Sequence, residues 1–504
     1  MKKCRTLVDK CIKWKPDRRI VALFAMLALV IVLLPLVRIA FYSVPWYDDY
    51  NYGGFAKSFW EQEASLKSLW AGLLYNVKTQ WYAFQGTYAS IFFMTLMPAV
   101  WGEEKYFIGA LILIFLLVFA VFVLVKVLVI NVLKKDWTSC VILQAVTAIL
   151  AVLLVHRSQQ AFYWYIGGMH YVGMHSFCIL WISACIYAMT VEKLWIKIVM
   201  LPITIVGASM AAGSNFVTAL QGGIFFVCMI GITLLVCEKN KNRVLWLLPA
   251  VGIYGFGFYK NVTAPGNQVR SAYYVGWGLG PVQAVLQSFV EAFKHLWSFT
   301  GWMTILILIL LIPVIWKMVD KTQFTFRYPA AVFILSFCIY ATGFTPSLYS
   351  IGHAGLSRTM NAVRLTFQLL LIVNEVYWLG WLRNYLENKG RKYSTENVVW
   401  WFYGLVFAAM VIVFCAEPDK IGTYSTWGAY ENVHSGEAYN FYQQYMERVE
   451  LLKGDDPVVE FRPYDYTPWV ICTGDLSENP DAEENRAIAA WYGKEAVICK
   501  DKTE

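Results

Sequence analysis

Residues 18–52 read RRIVALFAMLALVIVLLPLVRIAFYSVPWYDDYNY, and this stretch decides the architecture. Positions 20–42 form an apolar run broken by one charge, Arg38. At 1.5 Å per residue such a run crosses a hydrocarbon core about 30 Å thick. Ahead of it stand Lys2, Lys3, Arg5, Lys10, Lys13, Lys15, Arg18 and Arg19. The positive-inside rule keeps such a cluster in the cytoplasm. The run is too long for a signal-peptide core, and no small-x-small cleavage site follows, so it reads as a retained first helix.

Outward from this stretch the same pattern repeats. Of the 504 residues 58% are hydrophobic and only 15% charged, against about a quarter charged in an ordinary soluble domain. Further spans are expected at 105–130, 138–155, 172–191, 198–214, 216–237, 244–259, 299–316, 328–345, 362–382 and 398–415. The total is eleven, all nearly free of charge. Segment 84–101 is also apolar, but if it crossed, Lys134/Lys135, Lys193/Lys197, Lys239/Lys241/Arg243, Lys317/Lys321/Arg327 and Arg383/Lys389/Arg391/Lys392 would all move outside. It is therefore expected to lie in the interface or dip into the bilayer, with Trp81, Tyr82 and Trp101 as anchors.

The expected fold is all-α and integral to the plasma membrane, with a cytoplasmic N-terminus. The membrane domain covers 1–415 and holds interfacial helices in a first outer loop, 43–104. An extracytoplasmic tail, 416–504, carries 18 acidic against 8 basic residues and reads as a small α+β unit. Within it 457–461 reads as a strand and 485–492 as a helix. Cys472 and Cys499 lie on the oxidising side, either paired or free. The net charge of +8 sits beside helix ends, which points to topology and away from nucleic acid. Further outer segments are 156–171, 260–298 and 345–361, and all six histidines lie on or near that face.

Just past the first helix, Asp48 and Asp49 sit among Trp46, Tyr47, Tyr50 and Tyr52. Carboxylates so close to hydrocarbon are costly unless paired or facing water, and neighbouring carboxylates raise one another's pKa toward general-base range. The plainer alternative is a solvated helix N-cap. An acidic pair opening the first external loop resembles the signature of the GT-C superfamily, polytopic glycosyltransferases that use polyprenyl-phosphate- or diphosphate-linked sugars. The chain looks closest to a bacterial branch akin to the O-antigen glucosyltransferases. There Pro265-Gly266-Asn267-Gln268-Val269-Arg270 matches a Pro-Gly-Asn-x-x-Arg element of a central outer loop. Asp475-Leu476, Asn479-Pro480, Asn485, Ala489 and Tyr492-Gly493 match its tail.

The resemblance implies inverting transfer to a glycan, lipid or protein acceptor outside the membrane. Asp48 aligns with the base; Asp49 would orient the acceptor, hold the pKa of Asp48 or help bind a divalent ion. No cofactor is required by the residues, and the partners are the lipid-linked donor, the acceptor and membrane lipid. Glu61, Glu63, Glu103 and Glu104 read as solvated loop charges. Outer-face cations are few: Arg270, after a Pro-Gly turn whose backbone N–H groups can form an anion nest, with Arg358, Arg364, Lys260 and Arg157. These, with His353, are expected at the donor phosphate; Tyr50, Tyr52, His170 and Asn267 are expected to line the substrate. His170 and His175 are spaced i, i+5, poor for shared metal ligation. The alternatives are a non-catalytic protein of this architecture, a polysaccharide transporter or a polymerase.

Overall fold

The computed structural model describes residues 17–236, 238–390, 399–416 and 423–500. The basic cluster at 2–15, Cys237, and Arg391 with Lys392 lie outside the described residues. Helix accounts for 77% of the structure, and among the described residues eight helices are long and apolar enough to cross a bilayer. They are Arg18–Ala40, Glu103–Val132, Tyr165–Thr190, Leu194–Ala212, Phe216–Leu235, Pro281–Met318, Pro329–Ile351 and Ser357–Asn388. On the first of these Leu23, Phe24, Ile31 and Leu34 project outward, each more than half exposed, as a lipid-facing surface requires. The chain is thus an all-α, multi-pass membrane protein.

Local chemistry sets the helix ends. Asp17 accepts from the Arg19 N–H, and Asp136 accepts from the Ser139 N–H to start the helix Trp137–Leu153. Arg18 reaches Asp136 at 3.5 Å, so these two helices begin at the same end of the bundle. Arg383 pairs there with Asp320 at 2.6 Å, and Lys135 Nζ donates to the Asp320 carbonyl at 2.5 Å. Arg358 opens the helix Ser357–Asn388, and Arg383 lies near its far end. About 37 Å of helix axis separates them, so Arg358 stands at the opposite end of the bundle from this charged layer.

Several expectations change. Segment 84–101, as expected, forms no helix long enough to cross, but it packs against protein. It forms the eight-residue helix Tyr88–Thr95 and the turn Pro98–Trp101, buried in protein, with the Ala89 N–H donating to the Gly213 carbonyl at 2.9 Å. Eight residues rise only about 12 Å, too little to cross. Segment 156–171, expected as an outer loop, is largely core. It folds into the short π-helical stretches Gln159–Tyr163 and Met169–Gly173 around one α-helical turn, Tyr165–Gly168, burying Phe162, Tyr163, Trp164 and Tyr165. Its run of apolar side chains gains more from burial than from solvent. Segment 260–298 also acquires structure, as Pro265–Ala272 and the first half of Pro281–Met318, which kinks at Gly301 (φ 61°, ψ 165°). The span expected at 362–382 is not charge-free: both Glu375 carboxyl oxygens are buried there with no hydrogen-bond partner among the described residues.

The tail contains the helices Ser425–His434, Glu437–Lys453 and Glu483–Tyr492, with one parallel pair of strands, Val458–Phe461 and Ala496–Cys499. Cys472 is a free thiol. The tail shares one apolar core with the membrane helices, joining Ala429, Phe441, Val470 and Trp491 to Leu36 and Tyr50. Thr426 donates to the Val32 carbonyl at 3.0 Å and Ser425 to that of Val152 at 2.8 Å, so the first tail helix lies beside the bundle. Glu103 is no solvated charge; it is buried, accepting from Tyr492 at 2.7 Å and facing Lys453 at 3.7 Å.

Trp491 anchors this union. Its ring meets Tyr50 at 5.4 Å, carries the Lys57 ammonium at 4.4 Å, and lies against Gly53. Trp491→Ala is expected to cost roughly 3–5 kcal/mol and to expose the tail to limited proteolysis in detergent, with the membrane helices still protected.

Candidate functional site

The two adjacent carboxylates have opposite environments. Asp49 is fully buried. Its Oδ2 accepts from the Tyr106 hydroxyl at 2.6 Å and the Trp46 N–H at 2.8 Å, and its Oδ1 accepts from the Ile166 N–H at 3.0 Å. Burial pushes its pKa up to about 7, against the pull of those three hydrogen bonds. Enclosed, and with both oxygens already hydrogen-bonded to protein donors, Asp49 is poorly placed to orient an acceptor or ligate a metal ion. It ties the start of helix Asp48–Gln62 to the turn at Tyr165–Gly168 and to Tyr106.

Asp48, half-buried, makes no hydrogen bond through its carboxyl group among the described residues. Its pKa is pushed up to about 6, chiefly by burial; Arg358 opposes this, Glu483 adds to it, and Arg270 opposes it. The charged groups acting on Asp48 are therefore two arginines and one tail carboxylate. Tyr47, immediately before, is held at φ 35°, ψ −91°, a conformation rarely adopted outside glycine. Its hydroxyl donates to the carboxylate of Glu483, which fixes this strained turn from the tail.

Each arginine is aimed by an aromatic ring. The Arg358 guanidinium lies 5.4 Å from the Trp164 ring centre, and that of Arg270 lies 4.9 Å from Phe84. Arg270 Nη1 also donates to Gln85 Oε1 at 2.7 Å, and Gln85 Nε2 donates to Tyr52 Oη at 3.2 Å. Neither arginine forms an ion pair among the described residues. His170 stands within electrostatic range of both, and its Nδ1 has no hydrogen-bond partner among the described residues. Tyr52 feels both Asp48 and Arg270. Electrostatic effects thus link Asp48 to Arg270 and Arg358, Tyr52 to Asp48 and Arg270, and His170 to both arginines.

The Pro-Gly-Asn-x-x-Arg element works differently from the expected anion nest. Pro265 opens a short helix, and the Asn267 N–H is already spent on the Ala264 carbonyl. Asn267 does not line the site. Its Oδ1 accepts from the Gly86 N–H at 2.9 Å and its Nδ2 donates to the Asn261 carbonyl at 2.7 Å, locking this helix to residues 80–86. Gly266 is required by close approach, since a Cβ there would lie 2.6 Å from the Phe84 nitrogen and 2.7 Å from that of Gln85.

Other expected residues fall elsewhere. Tyr50 is packed under the tail, its hydroxyl 3.3 Å from that of Tyr445. Lys260 is exposed, beside Phe256. His353 is exposed and accepts from the Gly355 N–H at 3.2 Å. Arg157 and Arg364 act on His156 and are not among the charges felt by Asp48. His175 is fixed in the core between Thr218 (3.1 Å) and Thr366 (3.0 Å). Among the described residues no group of three or more His, Cys, Asp or Glu side chains converges as a metal site. Sequence reasoning missed Gln85, Tyr106 and Glu483, none of which stands in a motif.

Comparison with known protein families, curated proteins and solved structures returns no match.

Asp49→Ala should lower stability by roughly 3–5 kcal/mol, because two backbone N–H groups and a hydroxyl lose their acceptor, while Asp48→Ala should cost under about 1 kcal/mol. Thermal unfolding in detergent reads the contrast; equal losses would refute the division of roles. Gly266→Ala should displace the helix that carries Arg270, at a cost of about 1–3 kcal/mol.

Proposed function

We propose that the protein is a membrane glycosyltransferase of GT-C type, moving a sugar from a polyprenyl-phosphate or diphosphate donor to a cell-surface glycan, lipid or protein acceptor. One observation carries the reading. Of two neighbouring carboxyl groups one is sealed by three hydrogen bonds, while the other is free and faces two arginines without ion-pair partners. That is what inverting transfer needs. The acceptor oxygen attacks the anomeric carbon and loses its proton to Asp48. The bond from that carbon to the phosphate oxygen breaks, and its electron pair leaves with the phosphate toward Arg270 and Arg358. Arginine forks suit phosphate oxygens.

The site is extracytoplasmic in this reading. The charged layer of Arg18, Lys135, Asp320 and Arg383 marks the cytoplasmic end under the positive-inside rule, and Asp48 follows the other end of the first helix. Eleven crossings result if Trp137–Leu153, Leu248–Val262 and Val399–Ala416 join the eight longer helices. The C-terminal tail then lies outside, where Glu483 meets Tyr47. A groove of about 330 Å³ on the tail, lined by Glu437, Phe441, Gln444, Glu447, Asp465 and Tyr466, shares no residue with the Asp48 site. A polysaccharide transporter is the second reading, favoured by the unpartnered Glu375 within a span.

Asp48→Asn should abolish transfer from polyprenyl-phosphate sugar in membranes at normal expression, whereas a transporter would still move its cargo. A base must be deprotonated, so wild-type transfer should rise with pH through about 6 and level off above it. Glu483→Gln removes a negative charge that holds the pKa of Asp48 up, so this limb should move to lower pH. Full transfer by D48N ends the proposal.

A further inference from the structure

Arg364 lies six residues beyond Arg358 on the same helix, about 9 Å along the axis and about 240° around it. It therefore faces a different part of the molecule. The residue is half-buried, with its guanidinium 5.6 Å from the ring centre of Phe299. It forms neither an ion pair nor a hydrogen bond among the described residues, and its Nε is a buried atom with no partner. A guanidinium carries five N–H donors and stays charged in proteins; here one donor is buried without a partner, and the accessible Nη donors are left to meet an anion.

The neighbours sharpen the point. Phe299 is also ringed by His156, at 6.3 Å between ring centres, and by His295, at 5.4 Å. Desolvation first, then the like-signed charges of Arg364, Arg157 and His295, push the pKa of His156 down to about 4, while the His156 and Arg157 side chains keep an exposed edge from which an anion can enter. The carboxylate nearest His295 is Glu291 at 3.9 Å, and it is already engaged by Lys294 at 2.8 Å and Gln287 at 3.0 Å. Asn361 is spent as well. Its side-chain amide accepts from the Arg157 N–H at 2.9 Å and donates to the Arg157 carbonyl at 3.1 Å, which fixes the loop carrying His156.

We infer that Arg364, His156 and Arg157 form a second anion site, separate from the Asp48 site and suited to a phosphate group. Phosphate fits because its oxygens accept the planar fork of arginine in pairs, and His156 can supply a further ring N–H. Two sources share this chemistry: the headgroup of an anionic lipid and a free phosphate anion. The site stands at the same end of the bundle as Arg358, and its wall is aromatic, so a headgroup has apolar surface beside it.

The inference does not depend on Asp48 being a base. The test uses the purified full-length protein in neutral detergent, with binding read by native mass spectrometry and by the shift in thermal unfolding. One arm titrates inorganic phosphate; the other titrates phosphatidylglycerol against phosphatidylcholine. The wild type should bind one of the two anionic probes in preference to phosphatidylcholine. Binding should weaken about tenfold or more in Arg364→Gln and in His156→Gln, and remain as in the wild type in Asp48→Asn. Phosphatidylglycerol binding alone would assign a lipid headgroup, and inorganic phosphate binding would assign the free anion. Arg364→Lys keeps the charge without the fork and should bind at intermediate strength, which guards against a misfolded Gln variant. The inference is overturned if the wild type binds neither probe, if the Arg364 and His156 variants bind as tightly as the wild type, or if D48N loses binding with them.

Discussion

Everything around the site hangs on the buried carboxylate of Asp49. It gathers an N–H from the turn before its own helix, an N–H from the core turn at Ile166 and the hydroxyl of Tyr106. These donors come from three separate parts of the chain, so one side chain welds the first extramembrane helix to two others. The neighbouring position benefits. Because Asp49 consumes the local donors, Asp48 retains an open carboxyl group, and Arg358 and Arg270 act on it as positive charges. A pair of acids thus divides into one that builds and one that is available for chemistry. Desolvation lifts both, but hydrogen bonding fixes only the first.

The tail belongs to this arrangement as much as the membrane helices do. Its aromatic corner at Trp491 and Tyr492 covers Tyr50 and meets Lys57 and Glu103, and Glu483 reaches Tyr47 beside Asp48. Acidity in the tail therefore bears on the acidity of the site. The strained backbone at Tyr47 persists because the hydroxyl at the end of its side chain is held from the tail.

Much of this was legible in the sequence where one local rule dominates. Apolar runs long enough to span, the carboxyl pair after the first helix, and Arg270 and Arg358 as candidate cations for the site all follow from composition and spacing. The remainder depends on distant packing. Segment 156–171 reads as a loop by position, but its aromatic run is buried. Arg358 and Arg364 look equivalent until helix phase turns them to different neighbours. Asn267 looks like a ligand-facing amide, yet backbone groups at Gly86 and Asn261 claim it. Gln85 and Glu483 carry no local signal at all; only the fold brings them to Arg270 and Tyr47.

The most direct measurement is carbodiimide modification of carboxyl groups on intact cells, using a reagent that does not cross the membrane, with mass-spectrometric mapping across a pH series. The account predicts that Asp48 reacts from outside, increasingly as the pH falls through about 6, while the enclosed Asp49 stays unmodified in the folded protein. Modification of Asp49 in place of Asp48, or reaction at Asp48 only after the cytosolic face is opened, would contradict it.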